Sequence, residues 1–223
     1  MSSKKCSHCG LVNFSTDLEC RRCGAYLRSR SAPFADEDNE SGVKKRGVKK
    51  RLLWIGAATL TALVVFYVSL LVSSDGISLE QKQVVYRAID LLEQKGFTRD
   101  ALMMRHFVHF RSTDNWWNRY MGHHEAYAAT NFPFEIITLY PEFFDVPADD
   151  NERAVILLHE SYHLFGHGEA ATLEGVWRNK SKLDWTAEKY EQTKVWKNTK
   201  ELTMSMVPEL FRCGTDGQSD CAP

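Results

Sequence analysis

Net charge is what this sequence most lacks: 28 Lys+Arg stand against 29 Asp+Glu, leaving -1 over 223 residues. As an average, that expresses no electrostatic preference. Proline (6) and glycine (13) are also sparse, and 43% of residues are hydrophobic against 26% charged. This is ordinary globular composition and excludes a collagen-like or wholly disordered chain. The shortage of charge is uneven. Residues 1–51 hold 12 basic and 6 acidic side chains, a net +6; residues 52–72 hold none; residues 73–223 hold 16 and 23, a net -7. A basic head, an uncharged middle and an acidic body are three environments, which argues against a single soluble domain.

The uncharged stretch, Leu52 to Val72, reads LLWIGAATLTALVVFYVSLLV. A hydrocarbon core of ~30 Å needs ~20 apolar helical residues, so the length suits one transmembrane helix. A buried core helix rarely runs so far without a charge. A signal peptide has a shorter apolar core, lying near the start of its chain. Lys44, Lys45, Arg46, Lys49, Lys50 and Arg51 crowd one flank, while Asp75 and Glu80 precede the first cation, Lys82, on the other. Cytoplasmic flanks carry the Lys/Arg excess. The expected topology is a single pass with the N-terminus cytoplasmic and residues 73–223 extracytoplasmic. Trp54 and Tyr67 lie toward the two ends, where interface aromatics are common.

In the head, Cys6-Ser-His-Cys9 and Cys20-Arg-Arg-Cys23 form two C-x2-C knuckles. Such pairs place four thiolates around a structural zinc. The metal supplies the folding free energy of a segment that has only Leu11, Val12, Phe14 and Leu18 as apolar filling. Two disulfides are the alternative, but cytosolic thiols stay reduced. His8 is a spare rather than a required ligand. The stretch CSHCGLVNFSTDLECRRC, with Asn13 at its internal Asn, resembles zinc-ribbon and RanBP2-like fingers over about residues 4–27. Lys4 stands where RanBP2-type fingers usually carry Trp, which weakens any carry-over of RNA or ubiquitin binding and makes a small bacterial zinc ribbon at least as good a match. Ribbons of this kind dock proteins or nucleic acid, or stand as small folded knobs, and the sequence does not choose among these; a cytosolic protein is a more expected partner than nucleic acid. Residues 28–51 read as a disordered basic linker, polar first and then cationic, with the cations serving topology and contact with membrane lipid.

The body carries His159-Glu160-Ser161-Tyr162-His163, an H-E-x-x-H string. On a helix, residues i and i+4 share a face, so both imidazoles can reach one metal, with Glu160 placed to take a proton from water. The helix is predicted from Asp149 and Glu152 at capping-box spacing, an apolar run without Pro or Gly, and a stop at Gly166 and Gly168. Glu135–Tyr140 reads as a strand. This arrangement resembles zincin peptidases over about residues 133–180. Gly166 matches the Gly of the metzincin pattern, but Glu169 stands where that pattern has its third His; a downstream Glu is the gluzincin choice. The resemblance implies a catalytic zinc held by His159, His163 and Glu169, with Glu174 and His167 as the other candidate third ligands, and Glu160 as general base.

Other candidates are weaker. Tyr127, Tyr140 or His167 could stabilise an oxyanion. His123, His124 and Glu125 read as solvated loop, and His106 and His109 as a strand edge. Trp116, Trp117, Trp177, Trp185 and Trp196 are read as core anchors. Helices are expected from Ser78 to about Gly96 and from Asp184 to about Met206. Cys213 and Cys221 suit a disulfide outside the cytosol.

The expected fold is α+β: a mostly helical zincin-like domain with a small sheet at 73–223, preceded by a transmembrane helix at 52–72, the linker at 28–51 and a zinc ribbon at 1–27. The function expected is a membrane-anchored zinc-dependent hydrolase, a metallopeptidase acting on an extracytoplasmic peptide or protein substrate. The alternative is a non-catalytic, metal-stabilised adaptor domain linking an extracytoplasmic partner to the cytosolic ribbon.

Overall fold

The computed structural model describes residues 3–27, 45–122, 126–213 and 220–222. The chain divides into two compact units, Met1–Gly56 and Ala57–Pro223.

In the first unit, strands β1 (Ser3–Lys5) and β2 (Val12–Phe14) pair antiparallel, with Lys4 opposite Asn13. Each cysteine knuckle is closed by the same turn. The amide of Gly10 donates to the Cys6 carbonyl and that of Gly24 to the Cys20 carbonyl, each at 2.9 Å. Both glycines are left-handed, at φ 73° and 71°, a conformation that disfavours a Cβ. The centre of this unit is Cys6, Cys20 and Leu27, flanked by Cys9, Leu11 and Ala25. Val12, Phe14 and Leu18, expected as filling, are instead exposed, and of the residues expected as filling Leu11 is the one packed against the centre. Phe14 is covered by the Arg21 guanidinium, 5.1 Å from its ring.

Helix α1 runs from Lys45 to Val72 and includes a stretch long and apolar enough to cross a membrane. It therefore absorbs residues 45–51, assigned above to the linker. Lys and Arg are good helix formers, so the apolar helix propagates through them. Residues 28–44 lie outside the described residues.

In the second unit, α2 (Leu79–Gln94) starts in a complete capping box between Ser78 and Gln81 and buries Val85, Ala88, Ile89 and Leu92. It packs on α3 (Thr98–His106). Strand β3 (His109–Arg111), the short helix α4 (Trp116–Met121), β4 (Ala128–Asn131), β5 (Ile136–Leu139) and α5 (Pro141–Asp145) follow. The sheet order is β3-β5-β4, with β3 parallel and β4 antiparallel to β5. His109 lies in the edge strand as expected, whereas His106 is the last residue of α3.

Helix α6 (Asp150–Leu164) lies between α2 and β4 and buries Ala154, Val155, Leu157 and Leu158. It is followed by α7 (Glu169–Arg178), α8 (Ala187–Tyr190), α9 (Lys194–Met206) and a 3-10 turn at Pro208–Phe211. The single helix expected from Asp184 to Met206 is broken. Asp184 is left-handed at φ 53°, and Thr193 is extended and caps α9 through the Trp196 amide. Thr193 also donates to the buried Glu152 carboxylate, a tertiary bond that local periodicity does not reveal. Trp177, Trp185 and Trp196 form one aromatic core cluster, with Trp185 and Trp196 ring centres 4.6 Å apart. Trp116 and Trp117 do not join it; they are partly exposed and pack on Phe66 of α1. Cys213 and Cys221 are disulfide-bonded.

The end of α1 is part of this second unit. Leu70 and Ser74 are buried. Arg111 donates to the Ser74 hydroxyl at 2.9 Å, to the Leu71 carbonyl at 2.5 Å and to the Ser74 carbonyl. The Trp116 indole donates to Ser69 at 3.0 Å, and Arg119 donates to the Ser73 carbonyl at 3.2 Å. A guanidinium on the last carbonyls of a helix satisfies orphan acceptors and opposes the negative end of its dipole.

Candidate metal centres and the adjoining cleft

The four cysteines of the first unit converge. Cys6 and Cys23 sulfurs are 3.7 Å apart, Cys9 and Cys20 sulfurs 3.5 Å, and all four lie within 4.8 Å of one another. A tetrahedral site with Zn–S of about 2.3 Å has sulfurs roughly 3.8 Å apart, so the donor set fits zinc. Amide groups of Arg22 and Cys23 point at Cys20 and lower its pKa to about 6. For Cys23 the Ala25 amide favours the thiolate, but burial and the neighbouring sulfurs outweigh it and push the thiol up to about 12. Four sulfurs this close ionise together only around a cation. Asn13 is buried and ties the knuckles together: its amide donates to the Leu11 carbonyl at 2.9 Å, and its oxygen accepts from the Arg21 amide at 3.1 Å. His8 lies outside the cluster.

The second cluster is built on α6. Asp149 caps the helix by accepting from the Asn151 and Glu152 amides. The capping box is only half formed, because Glu152 does not reach back to Asp149. Its buried carboxylate accepts from the Ala148 amide at 2.8 Å and the Trp185 indole at 3.4 Å, besides Thr193. One turn before the helix ends, His159 and His163 stand on the same face with their Nε2 atoms 3.1 Å apart. Gly166, left-handed at φ 81°, turns the chain so that Glu169 begins α7 above that face. Glu169 Oε2 is 3.0 Å from His163 Nε2, and Oε1 is 3.5 Å from His159 Nε2.

The proton positions follow from the partners. The His167 carbonyl lies 3.0 Å from His163 Nδ1 and can only accept, so Nδ1 carries the hydrogen and the Nε2 lone pair faces its neighbours. Two imidazole lone pairs 3.1 Å apart repel unless a proton or a cation lies between them. Nitrogens bound at about 2.05 Å to a tetrahedral zinc are roughly 3.3 Å apart. The three donors therefore fit a metal. Without one, hydrogen bonds from His159 and His163 hold the Glu169 carboxyl far below the usual carboxylate range. The Glu169 hydrogen bond raises His163 above the ordinary imidazole value, against the lowering effect of burial.

This cluster lines a cavity of about 550 Å³. Glu160, on the adjacent flank of α6, also lines it and is buried; its Oε2 accepts from Thr130 Oγ1 at 2.6 Å. Thr130, on the edge strand β4, escaped sequence reasoning. Phe132 and Leu202 complete much of the apolar wall. Of the other candidates, Glu174 turns away to Arg178 at 2.8 Å and is not in the cluster. The His167 ring packs on Tyr162 at the cavity edge. Tyr127 lines the cavity and accepts from Asn198 at 3.0 Å. Tyr140 is not among the lining residues; it donates to Asp114 at 2.6 Å. His123, His124 and Glu125 lie outside the described residues.

No family model, curated protein or solved structure matches the chain.

Proposed function

We propose that the protein is a membrane-anchored zinc-dependent hydrolase, a zincin-like metallopeptidase acting on an extracytoplasmic peptide or protein, with a zinc ribbon on the cytoplasmic side. The observation that carries this reading is the convergence of His159, His163 and Glu169 on one wall of a cleft that Glu160 also lines. In this reading His159 Nε2, His163 Nε2 and the Glu169 carboxylate hold Zn²⁺. The metal supplies Lewis acidity toward a substrate carbonyl and makes water more acidic. Glu160 moves the proton. Thr130 engages its Oε2, so Oε1 is the oxygen that takes a proton from water and returns it to the leaving amine. The zincin resemblance of HESYH on a helix, followed by a Glu on the next helix, supports the peptidase class. The six cations of residues 44–51 support an N-terminus inside.

The test is Glu160→Gln in the full chain. The expected result is unchanged zinc content with hydrolysis of an unbiased peptide library falling by at least about 100-fold, the lower bound for a general base. Unchanged turnover would sink the mechanism. A wild-type chain that binds zinc at this cluster and cleaves nothing would instead favour the metal-stabilised adaptor.

A further inference from the structure

The second unit presents an apolar aromatic face beside the end of α1. Tyr120 is 79% exposed, Phe132 61% and Met121 57%, and Trp116 and Trp117 are each more than one-third exposed. Scattered apolar residues on a surface are ordinary, but a contiguous cluster calls for an occupant. These side chains are contiguous. Trp116 and Trp117 are edge-on at 5.7 Å, Trp117 and Tyr120 are 6.1 Å apart, and Met121, Trp117 and Phe132 line one shallow recess with Phe66.

The support beneath is polar and built. Asn115 donates to Asn131 at 2.8 Å, Asn131 to Asn118 at 2.6 Å and Asn118 to Thr138 at 3.1 Å. All four of these residues are buried. A closed chain of buried side-chain hydrogen bonds holds α4 rigidly on the sheet while its apolar side chains face outward.

The position of this face along α1 decides what covers it. Phe66 packs on Trp116 and Trp117 at 5.4 and 5.9 Å, and the indole of Trp116 bonds to Ser69. The amide of Trp116 also donates to Ser73 at 3.2 Å, so the aromatics sit level with residues 66–73. At 1.5 Å per residue, Phe66 lies roughly 9 Å short of Val72, the end of the apolar run. A bilayer whose ~30 Å core took in residues 52–72 would reach past the level of Phe66, and the face touching Phe66 would enter with it. A bilayer shifted toward Gly47 would still place its hydrocarbon boundary near that level. In either register the aromatic face meets the membrane.

We propose that this face is a bilayer seat: Trp116, Trp117, Tyr120, Met121 and Phe132 lie in the headgroup–acyl boundary around the C-terminal end of α1. Trp and Tyr are the residues this boundary selects. Arg119, exposed beside them and bonded to Ser73, supplies a cation at headgroup level. The proposal rests on α1 being a membrane span and is independent of any hydrolytic activity.

The experiment places the full chain in phosphatidylcholine vesicles at low protein-to-lipid ratio. Two signals are read: the emission added by Tyr120→Trp and the emission lost in Trp54→Phe. Lipids carrying a nitroxide near the headgroup should quench the residue 120 signal, and aqueous iodide should leave it intact. Lipids with the nitroxide deep in the chain should quench the Trp54 signal if α1 spans. A lipid-quenched Trp54 with an iodide-quenched, lipid-insensitive residue 120 overturns the seat alone and leaves the face to a protein partner or a second copy. A Trp54 signal that no lipid quenches overturns span and seat together. Glu160→Gln should change neither signal, so failure of the hydrolase reading stays separate.

Discussion

Glu169 and Glu174 are five positions apart on one helix, yet their surroundings differ completely. The first faces two imidazoles at 3.0 and 3.5 Å; the second pairs with Arg178 one turn on, an exposed pair of the kind worth little. Glu169→Ala should therefore weaken zinc at this cluster by at least about 100-fold, since even the loss of an outer hydrogen-bond partner costs about 10–100-fold. Glu174→Ala should leave affinity unchanged. Competition with a chelator of known affinity reads both; equal losses in the two variants would show that the ligand assignment is wrong. These residues were legible before the structure because their relations are local: i and i+4 on a helix, then a glycine turn. Thr130 was not. Its contact with Glu160 spans 30 residues and depends on β4 packing against α6.

Among the elements, the pairing of α6 with α7 determines where Glu169 falls. Gly175 marks a close approach between them: a Cβ there would lie 2.8 Å from the ring of Tyr162. Tyr162 is itself packed against the core and on His167, so it has little room to yield. In an unobstructed helix, Gly→Ala stabilises by about 1 kcal/mol. Here overpacking of about 1–3 kcal/mol opposes it. Gly175→Ala should therefore lower the melting temperature of the detergent-solubilised chain and weaken zinc retention; a higher melting temperature would show that α7 has slack. The starts of α2 and α6 were readable from their capping residues, Ser78 and Asp149. The break between α8 and α9 was not, because Glu152, forty-one residues away, draws Thr193 out of the helix. The five tryptophans of the body divide for a similar reason: composition marks them as packing residues but does not distinguish the core from the flank of α1.

At the scale of the whole molecule, α1 and the body that follows it are joined without a free linker. Val72 is followed within two residues by Ser74, whose hydroxyl and carbonyl are held by Arg111. Arg111→Ala removes all three of the bonds its guanidinium makes to the end of α1. It should speed amide exchange across residues 72–78 while leaving the cysteine ribbon as protected as before; hydrogen exchange by mass spectrometry reads both segments, and unchanged exchange at the joint would show that the guanidinium is dispensable there. The alternation of charge legible in the sequence delimited the apolar stretch of α1, but not where that helix begins, and the clamp that ties its end to the body depends on Arg111 and Trp116, far along the chain.

That clamp also sets a length. An enzyme on a flexible tether sweeps a volume and meets substrate at any height its linker allows. One whose anchor is bolted to its body would work at a single altitude above the lipid; here the candidate cleft shares Phe132 with the aromatic face proposed to sit on that surface. On the proposed hydrolase reading, selection among polypeptides would depend on where along its length a chain leaves the membrane as much as on the side chains it offers, and the molecule would act as a ruler.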